Sequence, residues 1–461
     1  MNRRTWRAGR LPAMLCLLAI LLPATFVGSN RAVASSSARV TAAASTPTVT
    51  LWSWRPQDAQ LWQQVGKRLN ININFRPIVV NLYFATLSTA MEGGKGPDLF
   101  FADNGNDTFK YVPSHLIQST EGAGVDISKI NPSVMPPFAM NGKHWGIPYA
   151  LQTLHVFYNK AIFQKYHLSP PTTWEDFIQL CKTLQSNGVT PFNVMGTQPR
   201  VLNHTLDEIV SSTADSQWNQ DLINGKTNYE SAPFIEALTK AQELIPFFEH
   251  NYIASGSPTG SSQWEALALG QAAMIFDGIY AVPGIMAYNP KLQLGSFLVP
   301  PSSSSAIAKF PGNQAYYTHK ARVDWYIDGD ISMNAKIADK QEAAAAVKLW
   351  KFTATPQFGQ LFTQVAGDII PMKGITLPTK YPLSIKAYNE LQTQKVSPII
   401  DVSGPLNVPP MSASGAPANG VNGMWAVMQP LSQRLFAKEI TPQQFAKAMD
   451  GGLSWYFSAH K

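Results

Sequence analysis

The pattern of apolar and polar positions begins with a β-rich run, Val49-Thr50-Leu51-Trp52-Ser53-Trp54, that stops at Arg55-Pro56. From Gln57 the spacing changes. Leu61, Trp62, Val65 and Leu69 recur at helical intervals and predict a helix to Leu69. Ile71 to Val80 predicts a second strand and Leu82 to Met91 a second helix. After the turn Gly93-Gly94-Lys95-Gly96-Pro97, Asp98 to Ala102 predicts a third strand. Strands alternating with helices of this length predict a parallel sheet with helical crossovers.

The same grammar continues. Leu154 to Tyr158 reads as a strand, and Thr173-Trp174-Glu175-Asp176 opens a helix that Gly188 ends. Thr173 suits the cap, with Asp176 at the third helical position. Helices are predicted over Phe234–Phe248, Trp264–Leu269, Glu342–Phe352 and Gln357–Val365, with a strand over Ala272–Phe276. Thr441-Pro442-Gln443-Gln444 supplies a cap, a proline at the first helical position and a capping-box glutamine for a last helix to Met449. Ser302–Ser305 and Ser403–Gly423 are loops.

Length and composition enlarge this picture. The 461 residues are 45% hydrophobic and 14% charged, enough to build two domains with large cores. The formal charge of +7 is misleading. Six arginines, from Arg3 to Arg39, lie in an acid-free leader of 44 residues, so the remainder is nearly neutral. A nucleic-acid surface gains no support from it. Residues 1–34 read as a signal peptide: four arginines, an apolar run from Leu11 to Val27, then Ala32-Val33-Ala34 or Ala42-Ala43-Ala44 as cleavage sites between 34 and 44. An uncleaved membrane anchor is the alternative, but the run is short and holds Pro12 and Pro23. Arg3-Arg4 hints at a twin-arginine route. Residues 35–47 read as a flexible linker. Cys16 leaves with the leader and is poorly placed for a lipid. Cys181, alone in the mature chain, fits a small buried hydrophobe.

Chemical motifs are sparse. No histidine pairs with a second histidine or a cysteine at metal-ligand spacing, and no metal or cofactor is expected. His204 with Asp207 and Glu208 comes nearest, and a solvated helical face accounts for them. There is no nucleophile elbow, P-loop or G-x-G-x-x-G. The positive case for an enzyme is therefore missing.

Several blocks, in order, resemble the sugar-binding solute-binding proteins of bacterial ABC importers, the family that includes the maltose-binding proteins. They are Thr48–Leu69, Gly96-Pro97-Asp98-Leu99-Phe100-Phe101, Trp145-Gly146-Ile147-Pro148-Tyr149 with Tyr158-Asn159-Lys160, Pro171-Thr172-Thr173-Trp174-Glu175-Asp176-Phe177 and Gly270-Gln271-Ala272-Ala273-Met274. The resemblance implies an α/β, two-lobed periplasmic-binding-protein fold of type II. Each lobe is a sheet flanked by helices, and a hinge closes the interlobe cleft on the ligand. It implies a first lobe of 48–118 plus 270–325 and a second of 119–269 plus 326–461. It also implies export to the periplasm or cell exterior, a sugar ligand, permease subunits as partners, and a monomer.

A sugar shows C–H faces that stack on aromatic rings and hydroxyls that need polar partners. Trp52 and Trp54 share a strand face and serve either the ligand or the core. Asp103, Asn104 and Asn106 follow the third strand, as a site or as a turn. By resemblance, Tyr149 and Gln152 fall at the chain crossing, Gln152 where relatives carry a ligand-contacting acid. Tyr280 and Trp425 match stacking aromatics, and Asp277 a polar neighbour. Gly196, Thr197 and Gln198 would line the second lobe. Asp328 and Asp330 fit a site or a solvated turn. Two alternatives stay open: a secreted carbohydrate-active enzyme, and a binding protein for a polyamine, peptide or phosphodiester.

Overall fold

The computed structural model describes residues 46–103, 106–256, 262–394, 406 and 421–460. The leader, most of the 35–47 linker and Cys16 lie outside them. In chain order the structure runs β1 (Thr48–Ser53), α1 (Ala59–Leu69), β2 (Asn72–Pro77), α2 (Val80–Glu92), β3 (Leu99–Ala102), α3 (Asn106–Tyr111) and the long β4 (Ile147–Asn159). It continues through α4 (Trp174–Ser186), α5 (Pro199–Ser211), α6 (Ala232–Leu244), α7 (Ser262–Ala268), β5 (Met274–Gly278), α8 (Ala281–Tyr288), β6 (Leu294–Phe297) and β7 (Trp325–Met333). It closes with α9 (Lys340–Thr353), α10 (Pro356–Ala366), α11 (Met424–Phe436) and α12 (Pro442–Gly452).

Local rules place many boundaries. The Thr173 side chain accepts from the Asp176 amide and starts α4. Thr441 and Gln444 form the full capping box of α12. Asn70 takes a left-handed conformation and ends α1.

Among the described residues the main sheet runs β2-β1-β3-β7-β4-β5, with β6 also on β4. The first three strands are parallel, as the alternation predicted. The remaining pairings are antiparallel, because β7 enters from the other end and β4 runs against it. All thirteen residues of β4 are buried. Its first half pairs with β7, and its second half pairs with β5 and β6.

β5 and β6, in the segment 270–325, pair with the second half of β4. The strand that returns to β3 is β7, and α9 and α10 after it pack in the core beneath β1 and β3. Trp350, Phe358 and Phe362 of α9 and α10 share one core with Leu51, Trp62, Phe101 and Tyr149. A separate core gathers α4, α5, α6, α11 and α12 on one face of the β4-β5-β6 part of the sheet, around Trp218, Phe234, Phe276 and Phe445. Periodicity located these elements, but strand partners depend on contacts between residues far apart in the chain. Cys181 is fully buried in the second core, and burial pushes its thiol up.

Candidate functional site at the junction of the lobes

At the end of β1 the chain turns, and Trp54 leaves the strand. Its ring packs on Tyr83, Phe84 and Phe101 at 5.1, 5.3 and 5.6 Å. Its Nε1 donates to Asp328 Oδ1 at 3.2 Å. Gly329 makes room for it: the backbone there has φ +79°, and a Cβ would lie 2.6 Å from the Trp54 ring.

Arg55, next in the chain, is buried. Its Nε donates to Asp58 at 2.9 Å, Nη2 to Asp368 at 2.7 Å, and Nη1 to Asp328. One guanidinium thus gathers three carboxylates from β1's exit, from β7 and from the turn after α10. Burial pushes Asp368 up to about 6, although Arg55 and Gln152 pull it down. Gln152 on β4 is fully buried and uses both ends of its amide. Nε2 donates to Asp368 at 2.8 Å, and Oε1 accepts from the Tyr280 backbone amide at 3.2 Å.

Tyr280 starts α8 on the second lobe. Its hydroxyl accepts from Arg200 Nη1 at 2.8 Å, with the guanidinium 5.4 Å from the ring centroid. Trp264 lies 6.4 Å from the Tyr280 ring. Asp277 is buried and fixes Trp264: its Oδ2 accepts from Trp264 Nε1 and from Gln263 Nε2, each at 2.6 Å. His204 on α5 lies 5.4 Å from the Tyr326 ring and 6.1 Å from Trp425. Trp54, Arg200, Trp264, Tyr280, Tyr326, Asp328 and Trp425 are each half-buried.

The structure thus connects Trp54, Asp328, Gln152 and Tyr280 by hydrogen bonds through Arg55 and Asp368. Asp277 joins through Trp264. Trp425 lies on the far side of His204. Other candidates fall elsewhere. The Trp52 ring sits under Arg76, whose guanidinium is 4.7 Å from its centroid, and packs on the first core. Tyr149 is buried among Phe101 and Phe362, and its hydroxyl donates to Asp58 at 2.8 Å. Thr197 is exposed and donates to the Ser255 carbonyl at 2.9 Å, and Gln198 stands at the start of α5. The Asp103 amide donates to Asp107 Oδ2 at 3.0 Å. Asn104, and the side chain of Asn106, lie outside the described residues. Asp330 is buried, not a solvated turn, and accepts from Ser332 at 2.8 Å.

Arg55, Arg200, Trp264 and Tyr326 were missed. Arg55-Pro56 read as a stop signal, and Trp264 as a helix start. The His204, Asp207 and Glu208 face, expected in solvent, is buried, because α5 is covered by α6, α11 and the sheet. Two surface depressions, one around Ile127 and Met135, the other around Gln63 and Asn74, do not include these side chains.

Two lobes built on one shared strand, with aromatic and hydrogen-bonding groups along their junction, define a bacterial binding-protein fold. Residues 60–393 match the bacterial extracellular solute-binding protein model, and the chain belongs to that family. A multiple sugar-binding protein of Streptococcus mutans is 23% identical over 258 residues, 53% of this chain and 56% of that protein. An uncharacterized ABC transporter extracellular-binding protein of Pyrococcus horikoshii is 22% identical over 351 residues, 74% of each chain. Among solved structures, the bacterial solute receptor AcbH, described as having an exclusive preference for β-D-galactopyranose, superposes with a TM-score of 0.70 at 17% identity. That alignment covers 90% of this chain and 100% of AcbH. Among the described residues no helix is long and apolar enough to cross a membrane.

Proposed function

We propose that the protein is the extracytoplasmic substrate-binding subunit of an ABC importer, which holds a sugar or oligosaccharide between its lobes and delivers it to the permease subunits. The observation that carries this reading is the arrangement around Tyr280. A stacked-capable pair, Trp264 and Tyr280, stands beside the Arg200 guanidinium, while Trp54 and Asp328 come from the other lobe and are tied to Tyr280 through Gln152. Ring faces suit the C–H faces of a sugar, and the flanking amide, guanidinium and carboxylate groups suit its hydroxyls. The names of the Streptococcus relative and of AcbH support a sugar. The name of the Pyrococcus relative supports an ABC transporter.

A polyamine fits less well. Asp328 and Asp368, the acids nearest Trp54, are already held by Arg55. By strand pairing and core packing, 46–151 with 326–394 form the first lobe, and 152–325 with 421–460 the second. The exported protein acts as a monomer in the periplasm or outside the cell, binds no nucleic acid and performs no covalent chemistry. A thermal-shift panel of mono- and oligosaccharides tests this. One sugar raises the melting temperature in proportion to the logarithm of its concentration and is recovered unchanged. No shift with any sugar, or release of a cleaved product, rejects the reading.

A further inference from the structure

Helix α5 is buried at every position from Val201 to Ser211, and its buried residues include Asn203, His204, Asp207, Glu208 and Ser211. At 100° per residue, Asn203, His204, Asp207 and Ser211 fall on the same side as Arg200, with Glu208 at its flank. That side is the one that meets the junction: Arg200 bonds Tyr280, and His204 faces Tyr326 and Trp425. The polar side chains continue from there into the second lobe.

These groups are at most 4% exposed. Both amide atoms of Asn203, both carboxyl oxygens of Glu208, Asp207 Oδ1, His204 Nδ1 and Ser211 Oγ have no hydrogen-bond partner among the described residues. A buried polar atom without a partner is a standing loss of stability, and native cores keep few of them. Seven on one side of one helix is a concentration that packing alone does not explain. A fold that retains such a stripe beside its binding junction is trading stability for recognition.

The chemistry of the stripe narrows what it recognises. Burial pushes Glu208 up, and Asp324, Asp277 and Asp207 push it further. Burial and Asp324 do the same to Asp207. Burial and then Arg200 hold His204 low, hence neutral. Carboxyls whose neutral form burial favours, an amide, a neutral imidazole and a hydroxyl each both donate and accept. That is an uncharged lining. It complements hydroxyl groups. Among the described residues no cluster of His, Cys, Asp or Glu is placed to hold a metal ion.

We propose that the α5 stripe, Asn203, His204, Asp207 and Glu208, is a further subsite that takes the hydroxyl groups of one sugar ring, entered from the junction past His204. The proposal rests on the sugar-binding reading and adds to it the residues that hold the ring deepest in the second lobe.

The test uses the exported protein and whichever sugar of the thermal-shift panel stabilises it most. Calorimetry gives Kd for the wild type and for Glu208→Gln, Glu208→Leu and Asn203→Leu. The leucine variants should bind about tenfold or more weakly. Without sugar they should melt at the same temperature as the wild type or higher, since each removes unpartnered polar atoms. Glu208→Gln, which keeps an uncharged donor and acceptor, should stay within about threefold of the wild type. Unchanged Kd in both leucine variants overturns the subsite. So does a lowered melting temperature with unchanged Kd, the mark of a purely structural role. If the leucine variants do not fold, a crystal structure of the wild-type sugar complex decides. A sugar oxygen within hydrogen-bond distance of Asn203 or Glu208 supports the subsite, and a ring bound wholly elsewhere removes it. Failure of the sugar reading itself shows earlier, as a wild type that no sugar stabilises, and takes the subsite with it.

Discussion

Trp52 and Trp54 stand two positions apart, and strand alternation assigned them one face. Trp54 escapes that rule because β1 ends at Ser53, so its ring is placed by the turn, by Gly329 and by Asp328. Side-chain type does not tell the two tryptophans apart; the end of the strand does. The reverse happened at Arg55. Its sequence context signalled a turn, and nothing local revealed three carboxylates, two of them about 270 residues or more away. Its removal gives a sharp expectation. Arg55→Met leaves the buried Asp58 and Asp368 and the half-buried Asp328 without their cation, which costs about 3–5 kcal/mol. Urea unfolding of the variant measures it, and a loss under about 1 kcal/mol would mean the carboxylates take up protons or reorganise instead.

Elements were the most legible level. Helices announced by caps and by 3.6-residue spacing came out within a few residues, because both signals are local. The capping box of α12 is the clearest case: Gln444 accepts from the Thr441 amide at 2.9 Å, and Thr441 accepts from the Gln444 amide at 3.2 Å. Thr441→Ala should lower stability by about 1 kcal/mol. The thermal midpoint reports it, and Thr441→Ser should restore most of the loss. Helix α5 shows where the local signal fails. Its polar residues looked like a face for water, yet its neighbours bury it from Val201 to Ser211. Amphipathic spacing tells which residues share a side, not which side the tertiary structure buries.

At the scale of the whole molecule, titration couples to folding. Asp330 and Asp107 are buried near each other and near Asp103, with Lys110 the cation closest to Asp107. Burial first, and then neighbouring acids, push Asp330 up to about 8 and Asp107 up to about 7. In the unfolded chain both titrate near 4. At pH 6.5 the folded protein therefore holds protons that the unfolded chain has released. Stability falls as pH rises and stops falling above the folded value of Asp330. His155, held down to about 3 by burial, acts with the opposite sign, but only below pH 6.5. Unfolding midpoints between pH 6.5 and 8.5 should thus decline, and Asp330→Asn should make the decline shallower. A wild-type midpoint that is level or rising across this range contradicts the assignment.

The two-lobed plan was legible through the resemblance of ordered sequence blocks. The partners of β7 lie far from it in the chain, so no single-stretch pattern encodes its pairing. The unbroken run of β4 has one more consequence. Its crossing from lobe to lobe coincides with a hydrogen-bonded pairing, Gln152 beside Tyr326 and Thr153 beside Trp325. A swing of one half must be taken up as torsion spread along a two-stranded ribbon, in the manner of a leaf spring. Small angular excursions come readily to such a mount, whereas a wide gape has to unzip the ribbon first.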